Sequence, residues 1–439
     1  MKKINYYSLV ALLLGVPSIL VSCTGENNKT SIDDLFVPTF SNDKRVQVGA
    51  WAWTTRMITE QQLKDVKDAD IDLLIGTFSN IETGYESLIN RANKYDIDFI
   101  FDRRPWDGTI PTYVDNENFL GYCTYDEPSP ANLPILKEMK ENWDKSDLKD
   151  KMFFVNLNPC YSTNIGDSYD TYTKTYVEEC GLEMVSFDYY ALYTDQFSGE
   201  VDIREDWLYN FSVSAYYARI HNLPLWFTLL TTKHNAGGLN YINPSVTDLL
   251  YQINIGLSFG TSYMIHYTYA ATQADHINPI VDSNGRPTDS YYDVKDSTAL
   301  MRSWDSVYMN FDYLGTTGIY GSNFPSSGLL DYLVHDIDIS DTGAITKISS
   351  DEDITVGHFE DKNNNKGFVI TNLTNPYQQK STKVTLELSS EYKGIKIYHQ
   401  SEDPEKVEEI EILNKNNEIV LDIASGGALF VIPLKLNEK

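Results

Sequence analysis

Residues 119–130 read FLGYCTYDEPSP. A run of β-forming side chains stops at two adjacent carboxylates, Asp126 and Glu127. Pro128 follows, and it lacks the amide hydrogen that a continuing sheet ladder requires. Ser129 then opens the helix-forming stretch ANLPILKEMKENW. The stretch thus predicts a strand, a sharp stop and a helix, with acids at the strand's carboxyl end.

The same grammar recurs on both sides. Short apolar runs appear at 46–53 (VQVGAWAW), 71–78 (IDLLIGTF), 97–104 (IDFIFDRR) and 119–127 (FLGYCTYDE). Four more follow at 151–159 (KMFFVNLNP), 183–192 (EMVSFDYYAL), 223–232 (LPLWFTLLTT) and 261–270 (TSYMIHYTYA). Nearly continuous apolar runs of this length are expected of strands buried on both faces of a parallel sheet. Amphipathic segments lie between them, including EQQLKDVKDA behind Thr59, SLINRANKYD, WLYNFSVSAYYARIHN and VTDLLYQINIGLSFG. Only PWDGTIPTYVDNEN, between the third and fourth runs, shows no helical pattern. A doubly wound sheet rarely reaches eight such units, so the pattern predicts an α/β fold of the (β/α)8 TIM-barrel type.

PTDSYYDVKDSTALMRSWDSVYMNFDYL then reads as one long helix returning along the barrel. From about residue 318 short alternating strands, separated by turns such as DKNNNKG and ASGG, predict a C-terminal all-β sandwich domain. The expected organisation is a signal peptide over 1–22, a tether over 23–42, the barrel over 43–317 and the sandwich over 318–439. At 439 residues and 42% hydrophobic content the chain can bury cores of that size.

The first residues, MKKINYYSLVALLLGVPSILVSC, place two lysines before an apolar run too short to span a bilayer as a stable helix. Leu20-Val21-Ser22-Cys23 resembles the lipobox of bacterial lipoproteins, which implies lipidation at Cys23 and export. The expectation is anchoring at the outer membrane, on the periplasmic or cell-surface side, with membrane contact only through the anchor. Three cysteines remain, Cys123, Cys160 and Cys180, an odd number that argues against a disulfide framework. No cysteine–histidine spacing suggests zinc, and no metal or cofactor is expected. A formal charge of −28 repels polyanions, so nucleic acid is excluded as a partner. The 31 tyrosines, 18 phenylalanines and 7 tryptophans supply flat faces suited to sugar rings.

In such barrels the site lies at the carboxyl ends of the strands. Those ends carry Trp51 and Trp53, Asp102 with Arg103 and Arg104, Asp126 and Glu127, Asn156, Asp188 with Tyr190, Thr231, Thr232 and His234, and His266 with Tyr267. Several carboxylates facing one aromatic-rimmed mouth suit hydrolysis of a glycosidic bond, which needs a protonated carboxyl group and an ionised one. Glu127 is the expected general acid, since a like-charged neighbour and aromatic surroundings raise a carboxyl pKa. Its acids could instead cap the following helix. Asp188 is the expected second carboxylate, and Asp126 a supporting acid. Asp102 either pairs with the adjacent arginines or meets substrate. Trp51 and Trp53 share a face, one expected in the core and one as a platform. Of His266 and Tyr267 only one can face the lumen. These, with Asn156 and Tyr190, are the expected substrate-binding residues.

The segments GYCTYDEPSPANLPILKEMK, FFVNLNP, MVSFDYYAL, LPLWFTL and INIGLSFGTSYMIHYTY, then INPIVDSNGRPTDSYYDVK, resemble Bacteroidetes lipoproteins of glycoside-hydrolase type. These are similar to the family 42 β-galactosidase-like barrels of glycoside hydrolase clan A, over about residues 46–310. The resemblance implies an acid/base glutamate ending strand four, which Glu127 matches, with Asp126 where asparagine usually stands. It also implies a nucleophilic glutamate ending strand seven, and here LPLWFTLLTTKHN has no carboxylate. The expected function is therefore glycoside hydrolysis of an oligosaccharide by a non-standard pair. The alternative is a non-catalytic glycan-binding lipoprotein on a degenerate barrel, and an esterase or lyase finds no activated nucleophile.

Overall fold

A computed structural model describes residues 30–53, 58–79 and 81–437. Cys23 and the expected signal peptide lie outside the described residues. Eight parallel strands close a barrel: β1 (Gln47–Trp51), β2 (Leu73–Gly76), β3 (Asp98–Asp102), β4 (Phe119–Asp126), β5 (Met152–Leu157), β6 (Val185–Asp188), β7 (Leu225–Leu230) and β8 (Thr261–Tyr267). Each strand pairs with its neighbours in sequence, and β1 pairs with β8 to close the ring. All eight lie within the apolar runs predicted from the sequence.

Alternation divides each strand between two cores. Trp51, Leu73, Ile75, Ile100, Cys123, Phe154, Met184, Trp226 and Ile265 fill the interior. Trp226 lies flat on Tyr263 there, with ring centroids 3.8 Å apart and planes 5° from parallel. The alternate residues, such as Phe99, Phe153, Phe187 and Phe227, belong to the larger core shared with the helices. A barrel interior filled in this way leaves its chemistry to the ends of the strands.

The helices α1 (Glu60–Asp68), α2 (Glu82–Ala92), α3 (Leu133–Trp143), α4 (Tyr169–Cys180), α5 (Trp207–Ile220), α6 (Val246–Ser258) and α7 (Asp289–Arg302) form the outer layer. Their starts follow local chemistry. Thr59 and Ser245 form reciprocal capping boxes with Gln62 and Asp248, satisfying amides that no helical carbonyl can reach. No helix lies between β3 and β4. At the carboxyl end of the barrel, the loops after β6 and β7 build a small antiparallel sheet from Leu192–Thr194, Val201–Ile203, Asn235–Ala236 and Leu239–Tyr241.

The expected long helix after the barrel is shorter than its sequence pattern. α7 ends at Arg302, α8 (Asp305–Tyr308) adds one turn, and Phe311–Ile319 is the first sandwich strand. Its aromatic residues explain the switch: Phe311 packs on Phe430 at 5.3 Å while the strand pairs antiparallel with Ile354–Asp361. The sandwich therefore begins before residue 318. Its sheets have six and three strands over a core that includes Val356, Ile370, Val384, Ile395 and Val431.

Barrel and sandwich share one continuous core. Trp304 is fully buried and stacks on Phe430 at 5.6 Å. Gly357 meets the carboxyl end of α6, where a Cβ would stand 2.3 Å from the carbonyl oxygen of Ser258. Residues 30–42, expected as part of a tether, are partly fixed. Leu35 is buried, the Phe36 amide donates to the Lys435 carbonyl at 2.8 Å, and Phe40 packs on Phe311 at 5.2 Å.

Candidate active site

Four acids meet at the carboxyl ends of β3, β4 and β6, and β5 joins them. Asp126 is the last residue of β4 and pairs in register with Asn156 of β5, which in turn faces Ser186 of β6. A continuing strand would send Asp126 and Glu127 to opposite faces. The backbone instead turns at Glu127, which adopts a left-handed conformation with φ 50°. That conformation is uncommon for a residue with a side chain. It is held by the Glu127 amide, which donates to the Asn156 carbonyl at 2.8 Å, and by Pro128, which ends the ladder.

The side chain of Asn156 is buried and links the acids. Its Nδ2 donates to Asp126 Oδ1 at 3.2 Å and to Asp188 Oδ1 at 2.9 Å. Its Oδ1 accepts from Ser186 Oγ at 2.9 Å. On the other side Arg104 donates from Nη1 to Asp126 Oδ2 at 2.6 Å and from Nε to Asp102 Oδ1 at 2.6 Å. Thr77 Oγ1 donates to Asp102 Oδ2 at 3.1 Å, and the Arg104 guanidinium lies over the Trp53 ring at 5.3 Å. Arg103 turns away to Glu82 and Asp107. Two of the acids thus have a cation, while Glu127 has no ion-pair partner among the described residues.

That asymmetry decides the electrostatics. The Glu127 side chain is exposed at the rim, yet its carboxyl is crowded by protein on the barrel side. Loss of solvation, then the charge of Asp126, raise its pKa to about 7 against the pull of Arg104. Asp188 is pushed well above the usual carboxylate range by burial first, then by the charges of Glu127 and Asp126, with Asn156 opposing. Asp126 is also raised by burial, and Arg104 and Asn156 offset part of the rise. The charge of Glu127 thus raises Asp188, whereas the acid that raises Glu127 is its chain neighbour Asp126.

The walls are aromatic. Trp53 lies against Trp51 at 5.1 Å and edge-on to Tyr267 at 6.4 Å, and Tyr267 stacks on Tyr190 at 5.2 Å. Behind them His234, Tyr241 and His276 form a second ring layer. The two tryptophans divide as their spacing suggested. Trp51 is buried in the barrel, its Nε1 donating to Thr228 Oγ1 at 3.2 Å, and Trp53 is half-buried at the mouth.

His266 does not reach the mouth. Its neighbour Ile265 faces the interior, so His266 points to the helix layer, where it pairs with Thr231 Oγ1 at 2.8 Å. Burial lowers its pKa to about 3. Tyr267 is the member of that pair on the lumen side. One wall residue carried no signal in the sequence: Tyr161, on the loop after β5. Its ring is 37% exposed and its hydroxyl feels the charges of Asp188 and Glu127. The Arg204 guanidinium covers one face at 3.7 Å and Tyr189 meets it edge-on at 5.2 Å. Among the described residues no group of three or more histidine, cysteine and acidic side chains is placed to hold a metal ion.

No protein-family profile matches the sequence, and no curated protein matches it. Solved structures do. A glycoside hydrolase aligns over 92% of this chain and 98% of its own, at 12% identity and a TM-score of 0.53. A GH30 endoxylanase from Clostridium papyrosolvens covers 91% and 98% at 9% identity and a TM-score of 0.43. A GH39 enzyme from Xanthomonas axonopodis pv. citri covers 92% and 96% at 8% identity and a TM-score of 0.41. The first likeness extends over barrel and sandwich together and shows a fold shared with a glycoside hydrolase.

Proposed function

We propose that the protein is a glycoside hydrolase acting on an oligosaccharide or glycan fragment, with Glu127 as general acid and Asp188 as second carboxylate. The observation that carries this reading is the placement of these two carboxyls beside Asn156 at one aromatic mouth, each raised above the usual carboxylate range. Glycosidic cleavage needs a carboxylic acid to protonate the leaving oxygen and an ionised partner on the sugar's other side. The hydrogen bond from Asn156 favours the ionised form of Asp188 that the reaction requires, against the effect of burial, and Glu127 accepts no such bond. Trp53, Tyr267 and Tyr161 are the apolar faces against which a sugar ring would lie.

The end of β7 offers Thr231 and Thr232 and no carboxylate. A double displacement through a strand-seven glutamate therefore has no nucleophile, and Asp188 on the neighbouring β6 serves as base to a water molecule, with inversion at the anomeric carbon. The free carboxyl of Glu127 also favours hydrolysis over simple glycan binding, which would be compatible with an acid neutralised in a salt bridge. The proposal includes export and lipidation at Cys23, which acyl labelling of wild type and Cys23→Ala would check.

The test is a glycan panel assayed with wild type, Glu127→Gln and Asp188→Asn. Either substitution should cut turnover by about 10³-fold, the range of general acid–base contributions. Cleavage undiminished in Glu127→Gln would sink the assignment. Binding without cleavage by all three proteins would show a binding module instead.

A further inference from the structure

All three mouth acids on β4 and β6 depend on one residue of β5. The Asn156 carbonyl takes the amide of Glu127, and both hydrogens of its side-chain amide are committed, one to Asp126 and one to Asp188. Its side-chain oxygen is occupied by the Ser186 hydroxyl. Asn156 is 2% exposed, so neither face of the amide is presented to the mouth. With both donors spent and the oxygen bonded and buried, no part of the group is presented to a sugar hydroxyl.

We infer that Asn156 is a positioning residue that locks Asp126 and Asp188 into one hydrogen-bonded unit beside Glu127, with Ser186 satisfying its amide oxygen. The inference rests on the proposed hydrolase reading for its catalytic meaning, but not for its geometry. An asparagine amide has two orientations related by a 180° turn, distinguished by its hydrogen-bond partners. Turned over, it would present oxygen to two carboxylates and repel both. The two carboxylates therefore select the orientation, and the Ser186 hydroxyl completes it by donating to the amide oxygen at 2.9 Å. Asp188 is thereby kept as an acceptor, while Asp126 is held between Asn156 and Arg104.

Asn156→Ala and Ser186→Ala in the full chain test this. Asn156→Ala should lower kcat by about 10²-fold, as displaced reacting groups do, with KM little changed. The acid limb of the pH profile should move to higher pH, because ionised Asp188 loses a donor. Ser186→Ala should move it in the same direction by less. A raised KM with an unmoved limb would overturn the inference, since it would mark a substrate contact.

Should wild type cleave none of the glycans offered, the hydrolase reading falls alone, and the pH dependence of Tm still reads the positioning. The amide stabilises ionised acids, so the Tm gap between wild type and Asn156→Ala should widen from pH 4 to pH 8. A gap independent of pH would overturn the inference.

Discussion

The backbone amide of Glu127 donates to the carbonyl of Asn156 at 2.8 Å while Glu127 itself sits at φ 50°. The bond is the last rung between β4 and β5, and it coincides with the point where the strand turns. Regular alternation is broken there, so the side chain is freed from the direction its position would give it. Asp126, one residue earlier, keeps the strand geometry and is drawn between Arg104 and Asn156. Two adjacent carboxylates are thus separated into one that is paired and one that is not.

The pH dependence of hydrolysis follows from that separation. Glu127 must be protonated to act, so turnover should fall as pH rises through about 7. Part of its raised pKa comes from the charge of Asp126, so Asp126→Asn should lower the Glu127 pKa. The alkaline limb of the profile should then move down by about one pH unit. Profiles of kcat/KM for wild type and Asp126→Asn check this, and a limb that stays in place rejects the assignment of Glu127 to it.

The same shift has a stability consequence. A carboxyl whose folded pKa lies above its unfolded value stabilises the fold while protonated, and that stabilisation is lost as pH rises through the folded value. For Glu127 the window runs from about 4.5 to about 7. Glu127→Gln carries no such proton, so it should gain in Tm relative to wild type across that window. The gain should be modest because the side chain reaches solvent. Calorimetry at pH 4, 6 and 8 measures it.

Arg104 joins Asp102 to Asp126, and its removal leaves two partly buried carboxylates facing each other. Arg104→Ala should cost about 2 kcal/mol, the scale of hydrogen bonds to charged groups, and should raise the Glu127 pKa by removing a nearby cation. Arg104→Lys should restore charge without the fork that reaches both acids, so rescue should be partial. Urea unfolding of the two variants distinguishes these outcomes.

Trp304 is buried where α8 meets the sandwich, and it stacks on Phe430. Trp304→Ala should cost about 4 kcal/mol, as large buried aromatic truncations do. The continuous core predicts a single unfolding transition for the two units in wild type. Two resolved transitions in calorimetry would contradict the shared core.

The barrel was legible because strands buried on both faces are apolar at every position, a signal independent of any partner. The sandwich boundary was less so, since Phe311–Ile319 follows helical residues with no turn sequence between. At the mouth, strand ends located Asp102, Asp126, Glu127 and Asp188, because position along a strand is a local property. Which cation meets which acid is not local. Arg103 and Arg104 are equivalent in the sequence, and only the fold sends one to Glu82 and the other to Asp126. His266 and Tyr267 pose the same limit. Alternation shows that they diverge, and the direction depends on how β8 is rolled in the barrel.

Tyr161 illustrates what loops withhold. It follows β5 in a stretch without periodicity, yet it stands at the mouth with one face backed by Arg204 at 3.7 Å and an edge against Tyr189. A ring held from behind by a guanidinium loses little freedom when a sugar lies on its open side, so ordering costs little. Tyr161→Ala should therefore raise KM by about tenfold, in line with the loss of one buried aromatic contact, while kcat changes less. Tyr161→Phe keeps the face and should restore KM. If Phe fails to rescue, the hydroxyl near Asp188 and Glu127 is the working part, and the mouth binds its sugar through hydrogen bonds at that position instead of through stacking.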